Sequence, residues 1–397
     1  MAQNYSDIEF GWFIPVRGDG KYVGVEPERK PTMEYLIEVA KAAEDAGFRF
    51  ALIPTGRACV DSWIIGTIVA SHTKSLRPLI AMRPGLIAPV IAARMGASLD
   101  VASGGRAMFN IVTGHSAQDL KETGDPLYDA HDERYERTDE FLQIVRGLWE
   151  KSKGPGYSEF SIGKQQSQDE DKLDFSGKYY DLEGAISYPA VVQHPHPPIY
   201  FGGSSAIGKR VAVEHADVYL MWAEPVEWIK EQIDEVEGYR AELKQQKGID
   251  RPLRYGLRVH VLVRETEEEA WDAAWEIISK IDQTTIEKAD KKFSTFEAVG
   301  QKRQNQLRAA SREKDYKVGP NLWSGLSLVR DGGSLLLVGT PEQLTERFLE
   351  YIDVGISTFI LSGYPHLEEA TITGRLLLPL LQEKIAERVN VSLNGRV

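Results

Sequence analysis

Short apolar runs alternate with amphipathic stretches along almost the whole of this chain. The runs at 8–15, 50–53, 79–82, 107–112, 199–201, 218–221, 255–263 and 358–361 have the length and the β-branched or aromatic content of strands. Between them, apolar residues recur at three- and four-residue intervals over 32–46, 62–72, 89–103, 133–149, 207–215, 225–245, 341–353 and 367–381, which predicts helices with one buried face. Eight strands, most of them followed by a helix, predict a parallel sheet, because consecutive βα units are joined by right-handed crossovers. The expected fold class is α/β, a (β/α)8 TIM barrel with insertions, with an open doubly wound sheet as the alternative. At 397 residues the chain has the length of one such barrel domain.

Two stretches break the rhythm. Residues 152–174 are rich in Gly, Ser, Gln, Asp and Lys and poor in apolar side chains, which predicts a surface insertion. Residues 284–319 are strongly polar and fall between the seventh strand and the last βα unit. A long segment leaving the carboxyl end of a barrel strand predicts an active-site lid, and a solvated helical hairpin without a ligand role is the competing reading.

Charge and composition narrow the partners. With 59 acidic against 47 basic residues the net charge is −12, so nucleic acid and anionic membrane surfaces are repelled at long range. No apolar run approaches the ~20 residues of a membrane span, and residues 1–7 lack the apolar core of a signal peptide. One cysteine, Cys59, forms no intrachain disulfide and suits a reducing compartment. The expectation is a soluble cytoplasmic protein with neither nucleic acid nor membrane as partner. An anionic ligand would have to be drawn by a local cluster of arginines.

The candidate chemistry gathers at strand ends. Tyr364, Pro365 and His366 stand between the last strand and the last helix, where β/α barrels present ligand-binding groups. Gly203, Ser204 and Ser205 follow the fifth strand and open a helix, an arrangement suited to a phosphate cradle, although one serine would serve an ordinary helix cap. Arg210 occupies the place where a Walker-type loop needs Ser or Thr, which argues against a nucleotide site of that kind. The run from Gly18 to Gly24 reads as a turn, since Pro27 and Pro31 preclude a helix there. On the seventh strand, alternation puts Arg258 and His260 on one face. Two groups able to carry positive charge on an apolar strand need an anion, either a ligand or a structural carboxylate. Trp222, at the end of the sixth strand, and Arg303, in the polar segment, would complete the same pocket. The histidines show no zinc spacing, so no metal is expected, and Cys59 by itself reads as inert packing.

These segments resemble one family. Phe13–Pro15, Ile53–Arg57, Phe109–Gly114, Glu133–Glu136, Tyr200–Ser205, Leu220–Pro225, Arg258–His260, Val299–Arg303, Asn321–Trp323 and Leu361–Ala370 are together similar to the FMNH2-dependent alkanesulfonate monooxygenases of the bacterial luciferase superfamily. The resemblance implies a barrel that assembles as a homodimer or homotetramer and takes reduced FMN from a separate NAD(P)H-dependent flavin reductase. It implies dioxygen as co-substrate and cleavage of the carbon–sulfur bond of a small anionic organosulfonate, giving sulfite and an aldehyde. By the same carry-over Asn110, Thr113, Tyr135, Gly203, Ser204 and Ser205 hold the flavin, with Cys59 close by. Trp222, Arg258, His260, Arg303 and Tyr364 then surround the sulfonate. Arg17 stands at the first-strand turn, where enzymes for simple alkanesulfonates typically carry His or another neutral residue, and the insertion at 152–174 is long. Both features resemble the branch that desulfonates sulfoquinovose, because a polar turn can hydrogen-bond sugar hydroxyls whereas an alkyl chain needs an apolar wall. A catalytically silent flavin-binding relative and an anionic-sugar binding protein are the readings from other classes.

Overall fold

The alternation closes into a barrel. The computed structural model describes residues 7–114, 117–152, 171–296 and 298–394. In chain order the strands are β1 (Glu9–Phe13), β2 (Phe50–Ile53), β3 (Arg77–Met82), β4 (Met108–Ile111), β5 (Leu173–Ser176), β6 (Asp181–Ala185), β7 (Ile199–Gly202), β8 (Val218–Trp222) and β9 (Arg254–Val263). Three short strands follow, β10 (Lys317–Gly319), β11 (Leu322–Trp323) and β12 (Leu336–Gly339), before β13 (Ile356–Ser362). Parallel pairing runs β9-β13-β1-β2-β3-β4-β7-β8 and returns from β8 to β9, an eight-stranded closed parallel barrel with helices around it. The alternative of an open doubly wound sheet is excluded by that closing pair, in which Val218 faces Arg254 and Trp222 faces Arg258.

The long strand β9 serves two neighbours. Its first half pairs with β8, and from His260 to Val263 it pairs instead with β12, to which β11 and β10 add antiparallel. The apolar stretch of β12 and the hairpin β5–β6 were not singled out by the sequence pattern. Of the expected surface insertion, residues 153–170 lie outside the described residues, and its end runs into β5.

Period-two alternation sorts the strand residues into two cores. Phe50, Leu52, Leu79, Met108, Tyr200, Val218 and Ile360 fill the barrel, while the opposite faces pack on the helices. Gly11 makes room for this filling, because a Cβ there would lie 2.3 Å from the Phe50 ring. At the amino end Glu9 meets Arg254 at 3.1 Å and accepts the Tyr200 hydroxyl at 2.9 Å, a polar plug beneath the apolar layer. The space that remains lies at the carboxyl ends.

Helix boundaries follow local chemistry. Helix Pro341–Asp353 starts with a capping box between Thr340 and Gln343 and carries Pro at its first position. The helix expected over 367–381 is in fact two, His366–Leu376 and Leu378–Asn394. Pro379 is the reason: it has no N–H for the helical ladder and restricts the residue before it. The polar segment 284–319 holds helices Gln283–Phe293 and Val299–Ser311 rather than a loop. Among the described residues no helix is long and apolar enough to cross a membrane.

Candidate active site

A cavity of about 680 Å³ opens at the carboxyl end of the barrel. One side is built from β4, β7 and the helix His131–Lys151. β4 contributes Asn110 and the turn after it Thr113, and Tyr135 comes from the helix. From β7 the chain passes through Gly203, Ser204 and Ser205 into helix Ala206–His215, where the Ser205 hydroxyl caps the first turn by accepting from Gly208 N–H at 3.2 Å. Gly203 lets the loop pass close to Tyr135, since a Cβ would lie 3.1 Å from its hydroxyl and crowd it. The helix start therefore aims backbone N–H groups, with the favourable end of the dipole, at the cavity wall.

These residues fit a flavin phosphate and ring. Asn110 Oδ1 is buried in the wall without a hydrogen-bond partner. A buried carbonyl oxygen left in that state wants a donor from a ligand, and an N–H of a flavin ring is of the right kind. Backbone amides, hydroxyls and one amide oxygen make a set of hydrogen-bonding groups that fits a phosphorylated heterocycle.

The other side is cationic. Arg258 is 6% exposed, and its guanidinium donates to Val259 O at 2.9 Å, Ile360 O at 3.5 Å and Ser362 Oγ at 2.8 Å, with its centre 4.8 Å from the Phe13 ring centroid. Burial, with Arg330 beside it, pushes its pKa down to about 9. Arg330 donates from Nε to the Tyr364 hydroxyl at 2.7 Å and from Nη1 to Asp331 O at 2.9 Å and Gly333 O at 3.2 Å. Among the described residues neither guanidinium has a carboxylate among its hydrogen-bond or ion-pair partners. Two neighbouring charges with only neutral partners are of the kind that can receive an oxyanion.

His260 shares the face of Arg258, as alternation predicts, and the two meet at Ser362: Nδ1 lies 2.7 Å from the same Oγ that accepts from Arg258. The ring stacks on Tyr364 at 5.4 Å but does not line the cavity. Burial, reinforced by Arg330 and Arg258, drives its pKa well below the usual imidazole value, so it is neutral and adds no positive charge. Of the two groups able to carry positive charge on this strand, His260 is thus the one held neutral.

Arg17, Cys59, Asn110, Thr113, Tyr135, Gly203, Ser204, Ser205, Trp222, Arg258 and Tyr364 all line the cavity, with Arg17 and Cys59 together at its rim. Arg303 does not. Its guanidinium grips Glu224 through Nε at 2.9 Å and Nη2 at 2.5 Å and lies over Trp228. Glu224 is 2% exposed and would otherwise be a stranded buried acid, so the charge of Arg303 is consumed there. Gln304 fastens the same helix by donating to Ala223 O at 3.0 Å. The start of that helix does border the cavity, and a Cβ on Gly300 would come within 3.0 Å of the Trp222 ring. Sequence reasoning missed Arg330, which sits in a short Arg-Asp-Gly-Gly stretch that looks like a plain turn, and left His366, which also lines the cavity, without a role.

The sequence profile of the family described as luciferase-like monooxygenase matches residues 8–358. The chain belongs to this family. With membership comes the class of enzyme, a flavin-dependent monooxygenase. Among solved structures the chain is similar to riboflavin lyase (RcaE), determined with modified FMN and riboflavin, at 20% identity and a TM-score of 0.74, covering 95% of this chain and 92% of that one. It is similar to the EDTA monooxygenase EmoA from Chelativorans sp. BNC1 at 19% identity and TM-score 0.73, covering 95% and 94%. DmoA from Hyphomicrobium sulfonivorans gives 17% identity and TM-score 0.75, covering 95% and 88%. At such identities these likenesses speak for the shared barrel fold.

Proposed function

We propose that this luciferase-like monooxygenase uses FMNH2 and dioxygen to cleave the carbon–sulfur bond of a small organosulfonate, releasing sulfite and an aldehyde. The observation that carries the reading is the pair Arg258 and Arg330, without carboxylate partners, in the same cavity as the Gly203–Ser205 cradle. Reduced flavin, when bound, supplies the activation of dioxygen. Residues of the chain do the rest. Asn110, Thr113, Tyr135, Ser204 and Ser205 hold the cofactor, and the arginines hold the sulfonate through forked N–H groups that match its oxygens. Trp222 gives an apolar wall, and the helices of 284–319 act as a lid that excludes water. Neutral His260 keeps Arg258 in place through Ser362.

Arg17 at the rim is the basis for preferring a polyhydroxylated substrate, sulfoquinovose, with 6-oxo-glucose as product. Hydroxyls can satisfy that guanidinium, whereas an alkyl chain would leave it desolvated. A separate NAD(P)H-dependent flavin reductase delivers the cofactor, and the setting is cytoplasmic. Assembly as a homodimer or homotetramer belongs to the same reading. Sulfite release from a panel of sulfonates, with FMN, a reductase and NAD(P)H, tests the reading. Faster release at subsaturating concentration from sulfoquinovose than from octanesulfonate is expected. The reverse order would make the protein a general alkanesulfonate enzyme, and no sulfite from any member would sink desulfonation.

A further inference from the structure

His366 opens the helix His366–Leu376 and lines the cavity. Its Nδ1 lies 2.8 Å from Asp19 Oδ1, a carboxylate whose side chain is wholly buried. Asp19 also accepts from Gly20 N–H at 2.9 Å, from His366 N–H at 2.7 Å and from the Tyr35 hydroxyl. Burial works to raise its pKa, but His366 and the hydrogen bonds from His366 and Tyr35 outweigh it and hold the group below the usual carboxylate range. An ionised carboxylate can only accept, so Nδ1 must carry the hydrogen. In the neutral ring the lone pair is then on Nε2. That atom is buried and has no hydrogen-bond partner.

Other groups pack around the ring. Tyr364 stands edge-on at 5.1 Å and Phe13 at 5.7 Å. From β9 come Arg258 and neutral His260, and Arg330, from the loop before β12, donates to the Tyr364 hydroxyl. Tyr35 approaches from helix Met33–Asp45. On the helix of His366 itself, Glu368 is tied to Arg29 and Glu369 to Arg264. Arg258, with its pKa near 9, still holds its proton at neutral pH and serves as a donor. His366 thus combines an unpartnered Nε2 with a place in the cavity lining.

We propose that His366 is the general base of the reaction, taking at Nε2 the proton that leaves the sulfonate-bearing carbon, and that Asp19 is the positioning residue that holds the ring in its Nδ1–H form. The proposal rests on the desulfonation reading above. The reaction balances as R–CH2–SO3⁻ + O2 + FMNH2 giving R–CHO + HSO3⁻ + FMN + H2O. One oxygen atom becomes bonded to the carbon. The C–H bond yields its proton to Nε2 and its electron pair to the new carbon–oxygen bonding, and the C–S bond breaks with its pair leaving on sulfite. The two electrons and two protons of FMNH2 reduce the other oxygen atom to water, and His366 returns its proton to the departing sulfite.

The first test needs no turnover. In flavin-free protein with 15N-labelled histidine, NMR should show His366 protonated at Nδ1 and bare at Nε2. Asp19→Asn, whose amide can donate to Nδ1, should move the proton to Nε2. The second test is kinetic. His366→Asn should lower kcat for sulfite release by about 100-fold or more, leave FMN affinity unchanged, and enlarge the isotope effect with substrate deuterated at the sulfonated carbon. Free imidazole should restore part of the rate in His366→Gly. A proton on Nε2 of the wild-type ring would overturn the proposal, as would a kcat within a few-fold of wild type in His366→Asn. A lower kcat with neither a larger isotope effect nor rescue would reduce the dyad to a structural tie. If wild type releases no sulfite from any sulfonate, the base role falls with the substrate, and the NMR result still decides the state of the dyad.

Discussion

Two arginines, Arg303 and Arg330, compete for one role, and alanine substitutions separate them. Arg330 places its guanidinium in the cavity with three neutral partners, so Arg330→Ala strands no buried charge. What it removes is half of the proposed sulfonate site, and loss of such a charged hydrogen-bonding partner costs about 2 to 4 kcal/mol of binding, or ~30- to ~1000-fold in kcat/KM. Arg303→Ala strands Glu224, whose pKa burial already pushes up against the opposing effect of Arg303. The Arg303 side chain is 27% exposed, so water partly replaces it, and the cost falls below that of a fully buried pair, to about 2 to 3 kcal/mol of stability. For a chain of this length that lowers Tm by roughly 2 to 4 °C. The assays are sulfite release with reductase and FMN, and thermal unfolding of the same preparations. Arg330→Ala should lose turnover with Tm nearly unchanged, whereas Arg303→Ala should lose Tm while KM for the sulfonate hardly moves. A large rise in KM for Arg303→Ala, with Arg330→Ala close to wild type, would refute the assignment and return Arg303 to the sulfonate.

Replacing Arg17 with His should erode the preference for sulfoquinovose over octanesulfonate by ~10- to 100-fold, read as a ratio of kcat/KM values; an unchanged ratio would remove Arg17 from substrate choice. Limited proteolysis should cut within 284–319 more slowly when FMN and a sulfonate are both present, and equal rates would count against a lid. Asp19 has a depressed pKa, so its contribution to stability is present above the unfolded value near ~3.9 and is lost as pH falls through the lower folded value. Urea unfolding at pH 3 and pH 6 should therefore show a smaller pH difference in stability for Asp19→Asn than for wild type, and equal differences would contradict the linkage.

Local pattern was enough for the barrel. Alternating apolar strands and one-sided helices leave few ways to bury both faces of a parallel sheet, and the bounds of helix Pro341–Asp353 follow from its cap residues alone. Local pattern also placed Gly203–Ser205 at a strand-to-helix turn and put Arg258 and His260 on one face, because period two is a property of each strand by itself. Which charge meets which was decided elsewhere. Arg303 and Glu224 are 79 residues apart, and Asp19 and His366 are 347 apart, joined only because β1 lies beside β13 in the closed barrel. Arg330 gains meaning when β12 docks on the second half of β9 and carries its loop to Tyr364. Side-chain periodicity reports which face a residue is on, but the free energy of a buried charge depends on the partner across the fold, and that partner is set by strand closure.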